Sequence, residues 1–273
     1  MTADHGGMTV PSAPLCVIPT FLRAPQDLDL AVRCLVSLWT TAPDAAVLVV
    51  DDGSPERSLV QQLAVAVQEL GYELVAKHEN EGFSRTVNVG LRHALETGRD
   101  AVLVNADIEF HEAGWLERMA ARTDTQGRPA AVVGARLLYP NGCIQHAGVF
   151  FATHSRAFWH RCQYGPANLP EALVPVRCPV TAALQLIRHS TLERIGVYDE
   201  VFRMAYEDVD YCLRVFGAGL ECIYEPTVCA FHHESVFRGR STPKIERWER
   251  DSFVHLRDKW ATTDLSEFSP AII

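Results

Sequence analysis

The chain has 273 residues, 48% apolar and 22% charged, which fits a folded globular protein and excludes a disordered one. Twenty-five Lys and Arg against 34 Asp and Glu leave a net charge of −9. That charge disfavours nucleic acid or an anionic membrane as partner, but not a phosphate-bearing ligand, because a bound divalent cation inverts the local charge. The eight cysteines are scattered without a C-x-x-C pair, as reduced buried thiols are, and no apolar stretch approaches the ~18 residues of a membrane-spanning helix.

Residues 1–14 lack an apolar signal core and are expected to be a flexible leader. Leu15–Pro19 is a short apolar strand. Leu28, Ala31, Leu35 and Leu38 give the first helix its spacing, and Ala45–Val50 reads as a strand buried on both faces. Ser54 and Pro55 are the expected N-cap and first residue of a second helix running to about Leu70. Tyr72–Lys77 is a third strand, Phe83–Leu95 a third helix and Ala101–Asn105 a fourth strand. This alternation predicts parallel strands with right-handed crossovers.

The second half reads differently. Ala130–Tyr139 and Cys143–Phe151 flank the turn Pro140-Asn141-Gly142 and predict a hairpin. Residues 153–177 carry little periodicity and are expected to be a long loop or mobile flap. Val180–Ile187 is apolar, and Ser190 is the expected cap of a short helix. Glu207–Phe216 is a helix with Val209, Cys212, Leu213 and Phe216 on one face, and Leu220–Phe231 is the last strand. Ser241–Trp260 is a charged helix, expected as a lid or surface arm.

In an open parallel sheet, ligands bind beyond the carboxyl ends of the strands. Those ends here read Pro19-Thr20, Asp51-Asp52-Gly53-Ser54, Glu79-Asn80-Glu81-Gly82-Phe83 and Asn105-Ala106-Asp107. No G-x-G-x-x-G, P-loop or G-x-S-x-G motif is present, which disfavours a dehydrogenase, a P-loop enzyme and an α/β-hydrolase.

Val17-Ile18-Pro19-Thr20, Val50-Asp51-Asp52-Gly53-Ser54, Asn80-Glu81-Gly82-Phe83 with Asn88, and Asn105-Ala106-Asp107 together resemble the family 2 glycosyltransferases of the GT-A fold. Residues 141–149, Tyr206–Arg214 and Phe231-His232-His233-Glu234-Ser235 extend the resemblance, within that family, to a bacterial rhamnosyltransferase-like subgroup. It covers about residues 15–240 and implies a single α/β, Rossmann-like domain. Its sheet is expected to be mostly parallel, with a smaller antiparallel acceptor-side portion. Residues 15–129 form the nucleotide-sugar-binding half, 130–240 the acceptor and catalytic half, and 241–273 a C-terminal helix and tail.

The resemblance implies an inverting transferase moving a sugar from a UDP-, dTDP- or GDP-sugar to a hydroxyl of a glycan, lipid-linked or small-molecule acceptor. Asp51 is expected to read the base beside Pro19, Thr20, Arg23 and Asp52. Asn80, Gly82 and Phe83, with Asn88, are expected to wrap the nucleotide. The family's D-x-D stands here as Asn105-Ala106-Asp107, leaving Asp107 as the ligand of Mn2+ or Mg2+ and an uncharged amide as its neighbour. A second ligand comes from the His232-His233 pair, with His233 preferred. Asp208 is the expected general base, with Glu207 and Asp210 as rivals, and Arg238, with Arg240, is expected over the diphosphate. The expected location is the cytoplasm, or the inner membrane face as a peripheral protein. The alternatives are a sugar nucleotidyltransferase, which would want a glycine-rich basic loop after the first strand, and a non-catalytic nucleotide-sugar-binding module.

Overall fold

A computed structural model describes residues 13–233 and 242–269. The leader up to residue 12, Arg238 and Arg240 therefore lie outside the described residues. The central sheet is built from β1 (Leu15–Thr20), β2 (Ala46–Asp51), β3 (Glu73–Ala76), β4 (Ala101–Val104), β6 (Val132–Leu138), β10 (Val176–Arg177), β11 (Leu184–Ile187) and β12 (Cys222–His232). Their spatial order is β10-β12-β6-β11-β4-β1-β2-β3. β3, β2, β1 and β4 run parallel, as the alternation of strands and helices predicts. β11 is antiparallel to both β4 and β6, while β12 runs parallel to β6.

The period-two pleat explains why these strands read as unbroken apolar runs. Cys16, Ile18, Val47, Val49, Val102 and Val104 face one layer, formed by α1 (Pro25–Thr41), α2 (Arg57–Glu69) and α4 (Trp115–Ala121). Leu15, Val17, Leu48, Val50, Ala101 and Leu103 face the other, formed by α3 (Phe83–Glu96), α5 (His189–Ile195) and α6 (Glu207–Gly217). The eight cysteines are free thiols, and burial pushes those of Cys16 and Cys178 up to about 12.

Several local expectations are corrected. α2 starts at Arg57, two residues late, with no side-chain cap. Ser54 is not its N-cap, because its hydroxyl accepts from the Leu22 N–H at 2.6 Å and donates to Asp51 instead. Ser190 lies inside α5 rather than capping it. The expected hairpin is split: β7 (Ile144–His146) pairs with β6, whereas β8 (Val149–Ala152) leaves to pair with β9 (Ala157–His160) in a separate two-stranded sheet. Residues 153–177 are thus no plain loop, since they hold β9, a 3-10 turn at Pro170–Ala172 and β10. The two-residue β5 (Ile108–Glu109), unrecognised in the sequence, pairs with the end of β12.

The charged helix is α7 (Pro243–Lys259), capped by the Thr242 hydroxyl, which accepts from the Ile245 N–H. It is not a surface arm, because Trp248, Ser252 and Leu256 are buried. Its end is pinned to Asp210, which accepts from Lys259 Nζ at 3.0 Å and from Trp260 Nε1 at 2.9 Å. Among the described residues no helix is long and apolar enough to cross a membrane.

α3 lies directly against β1 at Gly90, where an added Cβ would overlap both methyl groups of Val17. Replacing a helical glycine by alanine gains up to ~1 kcal/mol in propensity, but overpacking a tight core costs about 1–3 kcal/mol. Gly90→Ala is therefore expected to lower the urea midpoint, and an unchanged or raised midpoint would show that α3 can shift freely on the sheet.

Candidate active site

The carboxyl ends of β1, β2 and β4 open into a cleft of about 1310 Å³. Ligand pockets usually measure about 300–1,000 Å³, so this one has room for two substrates side by side. Pro19, Thr20, Arg23, Asp52, Asn80, Phe83, Asn105, Ala106, Asp107 and Asp208 all line it, as do Gln145, His146, His232 and the α7 residues Trp248 and Arg250.

Asp51 and Asp52 turn out to divide their work. Asp51 is buried, and its carboxylate accepts from the Ser54 N–H at 3.0 Å, the Ser54 hydroxyl and the Thr20 hydroxyl at 3.3 Å. It closes the turn after β2, and it is Asp52 that reaches the cleft lining. Asp52 accepts from Lys77 Nζ at 2.7 Å and from the Glu81 and Gly82 N–H groups at 3.0 Å, which ties β2 to the loop before α3. Arg23 stands beside Asp27, whose carboxylate accepts from the Arg23 and Ala24 N–H groups and so satisfies the start of α1.

The segment 80–88 acts mostly on the chain itself. Gly82 has φ +99°, and a Cβ there would lie 2.5 Å from the Arg203 carbonyl oxygen. The Phe83 N–H donates to that same carbonyl at 2.7 Å. Gly82 thus lets two protein backbones approach each other, rather than a ligand. Asn88 is fully buried: its amide accepts from the Tyr198 N–H at 2.9 Å and donates to the Tyr198 carbonyl at 2.9 Å and to Glu200 at 3.1 Å. With these bonds made inside the protein, Asn88 is a bracket on residues 198–200 and not a wall of the cleft.

That bracket matters because residues 198–206 lead into α6 and deliver Asp208. Ala205 and Tyr206, just before the helix, sit at φ +64° and +67°, a left-handed backbone that non-glycine residues rarely adopt and that clusters at functional sites. Asp208 Oδ2 accepts from the Ala182 N–H at 3.1 Å and Oδ1 from the Val209 N–H at 2.8 Å, which fixes its carboxylate at the cleft. The rival Asp210 is fully buried against Arg214 at 3.0 Å and the end of α7. Glu207 is largely buried and also lines the cleft.

At the end of β4 the histidine preference is reversed. His232 Nε2 lies 3.1 Å from Asp107 Oδ1 and 3.3 Å from Asn105 Nδ2. The His233 ring turns to Glu109 at 3.0 Å, and only its backbone N–H meets Asp107, at the carbonyl. The antiparallel pairing of His232 with Ile108 produces this choice, a register that the sequence does not reveal. His232 Nδ1 lies 2.6 Å from Gln145 Oε1, so a proton on Nδ1 donates to Gln145; Nε2 then accepts from Asn105 Nδ2 in the neutral ring or donates to Asp107 in the protonated one. In the neutral ring, Nε2 and Oδ1 are two acceptors 3.1 Å apart that a cation between them would bring into balance. Asn105 Oδ1 beside them is buried without a hydrogen-bond partner among the described residues.

One carboxylate, one imidazole nitrogen and one amide oxygen fit Mn2+ or Mg2+, the imidazole favouring Mn2+. Among the described residues there is no cluster of three or more His, Cys, Asp or Glu side chains. Gln145 is the residue that sequence reasoning left without a role; only its place beside a candidate ligand reveals one.

Residues 15–157, just over half the chain, match the family described as Glycosyl transferase family 2. An uncharacterized protein, y4gI, of Sinorhizobium fredii is 28% identical over 81% of this chain and 24% of its own length. The O-antigen biosynthesis protein RfbC of Myxococcus xanthus is 30% identical over 56% of this chain and 12% of its own. The chain thus spans a quarter or less of these two relatives. An N-acetylglucosaminyl-diphospho-decaprenol L-rhamnosyltransferase of Mycobacterium tuberculosis is 24% identical over 82% of this chain and 78% of its own. Among solved structures, GalNAc-T7 with UDP, GalNAc and Mn2+ superposes with a TM-score of 0.63 at 15% identity, over 84% of this chain and 44% of that one. The mannosyltransferase PcManGT from Pyrobaculum calidifontis, in complex with GDP-Man and Mn2+, gives 0.56 at 18% identity, over 93% and 72%. These likenesses show the fold, which is the GT-A type.

His146 is buried in the cleft wall, with Nδ1 2.8 Å from Nδ1 of His160. Burial, then the neighbouring His160, Arg161 and His232, hold its pKa well below 6.5. Below pH ~6.5 the unfolded chain takes up a proton that folded His146 refuses, so stability falls as pH drops, by up to ~1.4 kcal/mol per pH unit from this group. His146→Gln is expected to flatten the slope of unfolding free energy between pH ~7 and ~5, read by urea titration at each pH; parallel slopes for the two proteins would contradict a neutral His146.

Proposed function

This chain is a member of glycosyl transferase family 2, and from that premise we propose that it is an inverting transferase, moving a sugar from a UDP-, dTDP- or GDP-sugar to an acceptor hydroxyl. The observation that carries the reading is that a backbone-held carboxylate, Asp208, shares one cleft with the Asp107, Asn105 and His232 corner. The acceptor O–H gives its proton to Asp208 as its oxygen bonds to the anomeric carbon. The bond from that carbon to the donor phosphate breaks on the opposite face, and the nucleoside diphosphate leaves with the electron pair.

The chain's own residues hold the donor. Pro19, Thr20, Arg23, Asp52, Asn80, Phe83 and Ala106 line the nucleotide end. Asp107 and His232, with the amide of Asn105, would hold Mn2+ or Mg2+, whose charge neutralises the departing diphosphate. Gln145 keeps His232 in the tautomer that offers its Nε2 lone pair. The Mn2+ in both solved structures supports this assignment. The acceptor is a glycan, a lipid-linked sugar or a small molecule, met in the cytoplasm or at the membrane's inner face.

Asp208→Asn is expected to keep nucleotide-sugar binding, read by thermal shift, while nucleoside diphosphate release falls ~100-fold or more. Near-normal turnover would remove Asp208 as the base, and release of pyrophosphate by the wild type would point to a nucleotidyltransferase. Gln145→Leu is expected to weaken Mn2+ binding in the presence of nucleoside diphosphate by ~10–100-fold; an unchanged Mn2+ titration would show that His232 needs no orientation.

A further inference from the structure

The β8–β9 hairpin and the turn after it bring two large aromatic rings into the lining of the cleft that holds Asp208: Trp159 and Tyr164. They are 54% and 72% exposed. A single exposed ring on a surface needs no explanation, but these two share a cleft and one of them is built in at a cost. Cys162 and Tyr164 both hold left-handed backbones, at φ +57° and +65°, which no glycine relieves.

The Tyr164 N–H donates to the Ile144 carbonyl at 2.7 Å, and the ring lies parallel to that of Tyr139 at 5.5 Å between centroids. Gln163 Nε2, from the residue between the strained pair, donates to the Tyr139 hydroxyl at 2.9 Å. The result is a Tyr164 ring held in place before any ligand arrives, with Trp159, Gln163 and His160 in the same lining. A flat apolar face beside hydrogen-bonding side chains matches a pyranose ring, which has an apolar C–H face and a rim of hydroxyls. A lipid chain would instead call for a continuous apolar groove.

We propose that Trp159 and Tyr164 form the acceptor subsite and that the group they take is the pyranose ring of a carbohydrate. Its role as an acceptor subsite rests on the transferase reading; binding of a pyranose to these rings does not. Saturation-transfer NMR on the full chain, with methyl α-L-rhamnopyranoside, methyl α-D-mannopyranoside and methyl β-D-N-acetylglucosaminide as probes and n-octanol as apolar control, tests it. At least one pyranoside is expected to bind. Trp159→Ala and Tyr164→Asn, the latter keeping a residue that tolerates the left-handed backbone, are each expected to weaken it about ten-fold, and Trp159→Phe to retain it.

Nucleoside diphosphate binding with Mn2+ should be unchanged in all three variants. No pyranoside binding by the wild type, binding indifferent to both substitutions, or binding of octanol alone would overturn the proposal. Pyranoside binding that depends on both rings, in a protein that binds no nucleoside diphosphate, would support the sugar subsite while overturning the transferase reading.

Discussion

The contact between His232 and Asp107 is the constraint on which the cleft depends. These side chains come from the two halves of the chain; Asn105, beside them, is 127 residues before His232. β12 must run its full length parallel to β6, pass the register shift between Glu225 and Cys229, and end against β5 for the ring to arrive there. Nε2 then lies 3.1 Å from a carboxylate oxygen, a contact that a proton or a cation makes attractive. Gln145 completes the arrangement from the middle of β7, so residues of three separate strand segments meet in one corner.

The Asp208 carboxylate is positioned by a second, independent device. α3 holds the 198–206 loop at two points, through Asn88 on Tyr198 and through the Gly82–Phe83 backbone on Arg203. α7 holds the other side of α6 by gripping Asp210. Asp208 is thereby fixed between a loop tied to α3 and a helix tied to α7.

The parallel half of the fold was legible because strands buried on both faces must be continuous apolar runs, and the polar residues that follow them mark the binding edge. Asp52, Asn80, Asp107 and Asp208 were found by that logic or by resemblance, and all four line the cleft. What escaped depended on partners far away in sequence. Ser54 looks like a helix cap until Leu22 and Asp51 are seen to claim its hydroxyl. Asn88 looks like a ligand contact until residues 198–200 are seen to take up its amide. His232 and His233 are equivalent in a string of letters and differ only by which one pairs with Ile108. The aromatic hairpin at 149–160 reads in the sequence as the end of one strand followed by a loop, yet its second strand supplies one wall of the cleft.

The cation corner is most directly tested by electron–nuclear double resonance of Mn2+ bound, with a nucleoside diphosphate, to protein carrying 15N-labelled histidine. Coupling to a histidine nitrogen that vanishes in His232→Ala and survives in His233→Ala is the predicted result. No nitrogen coupling in the wild type, or coupling that persists without His232, would contradict it.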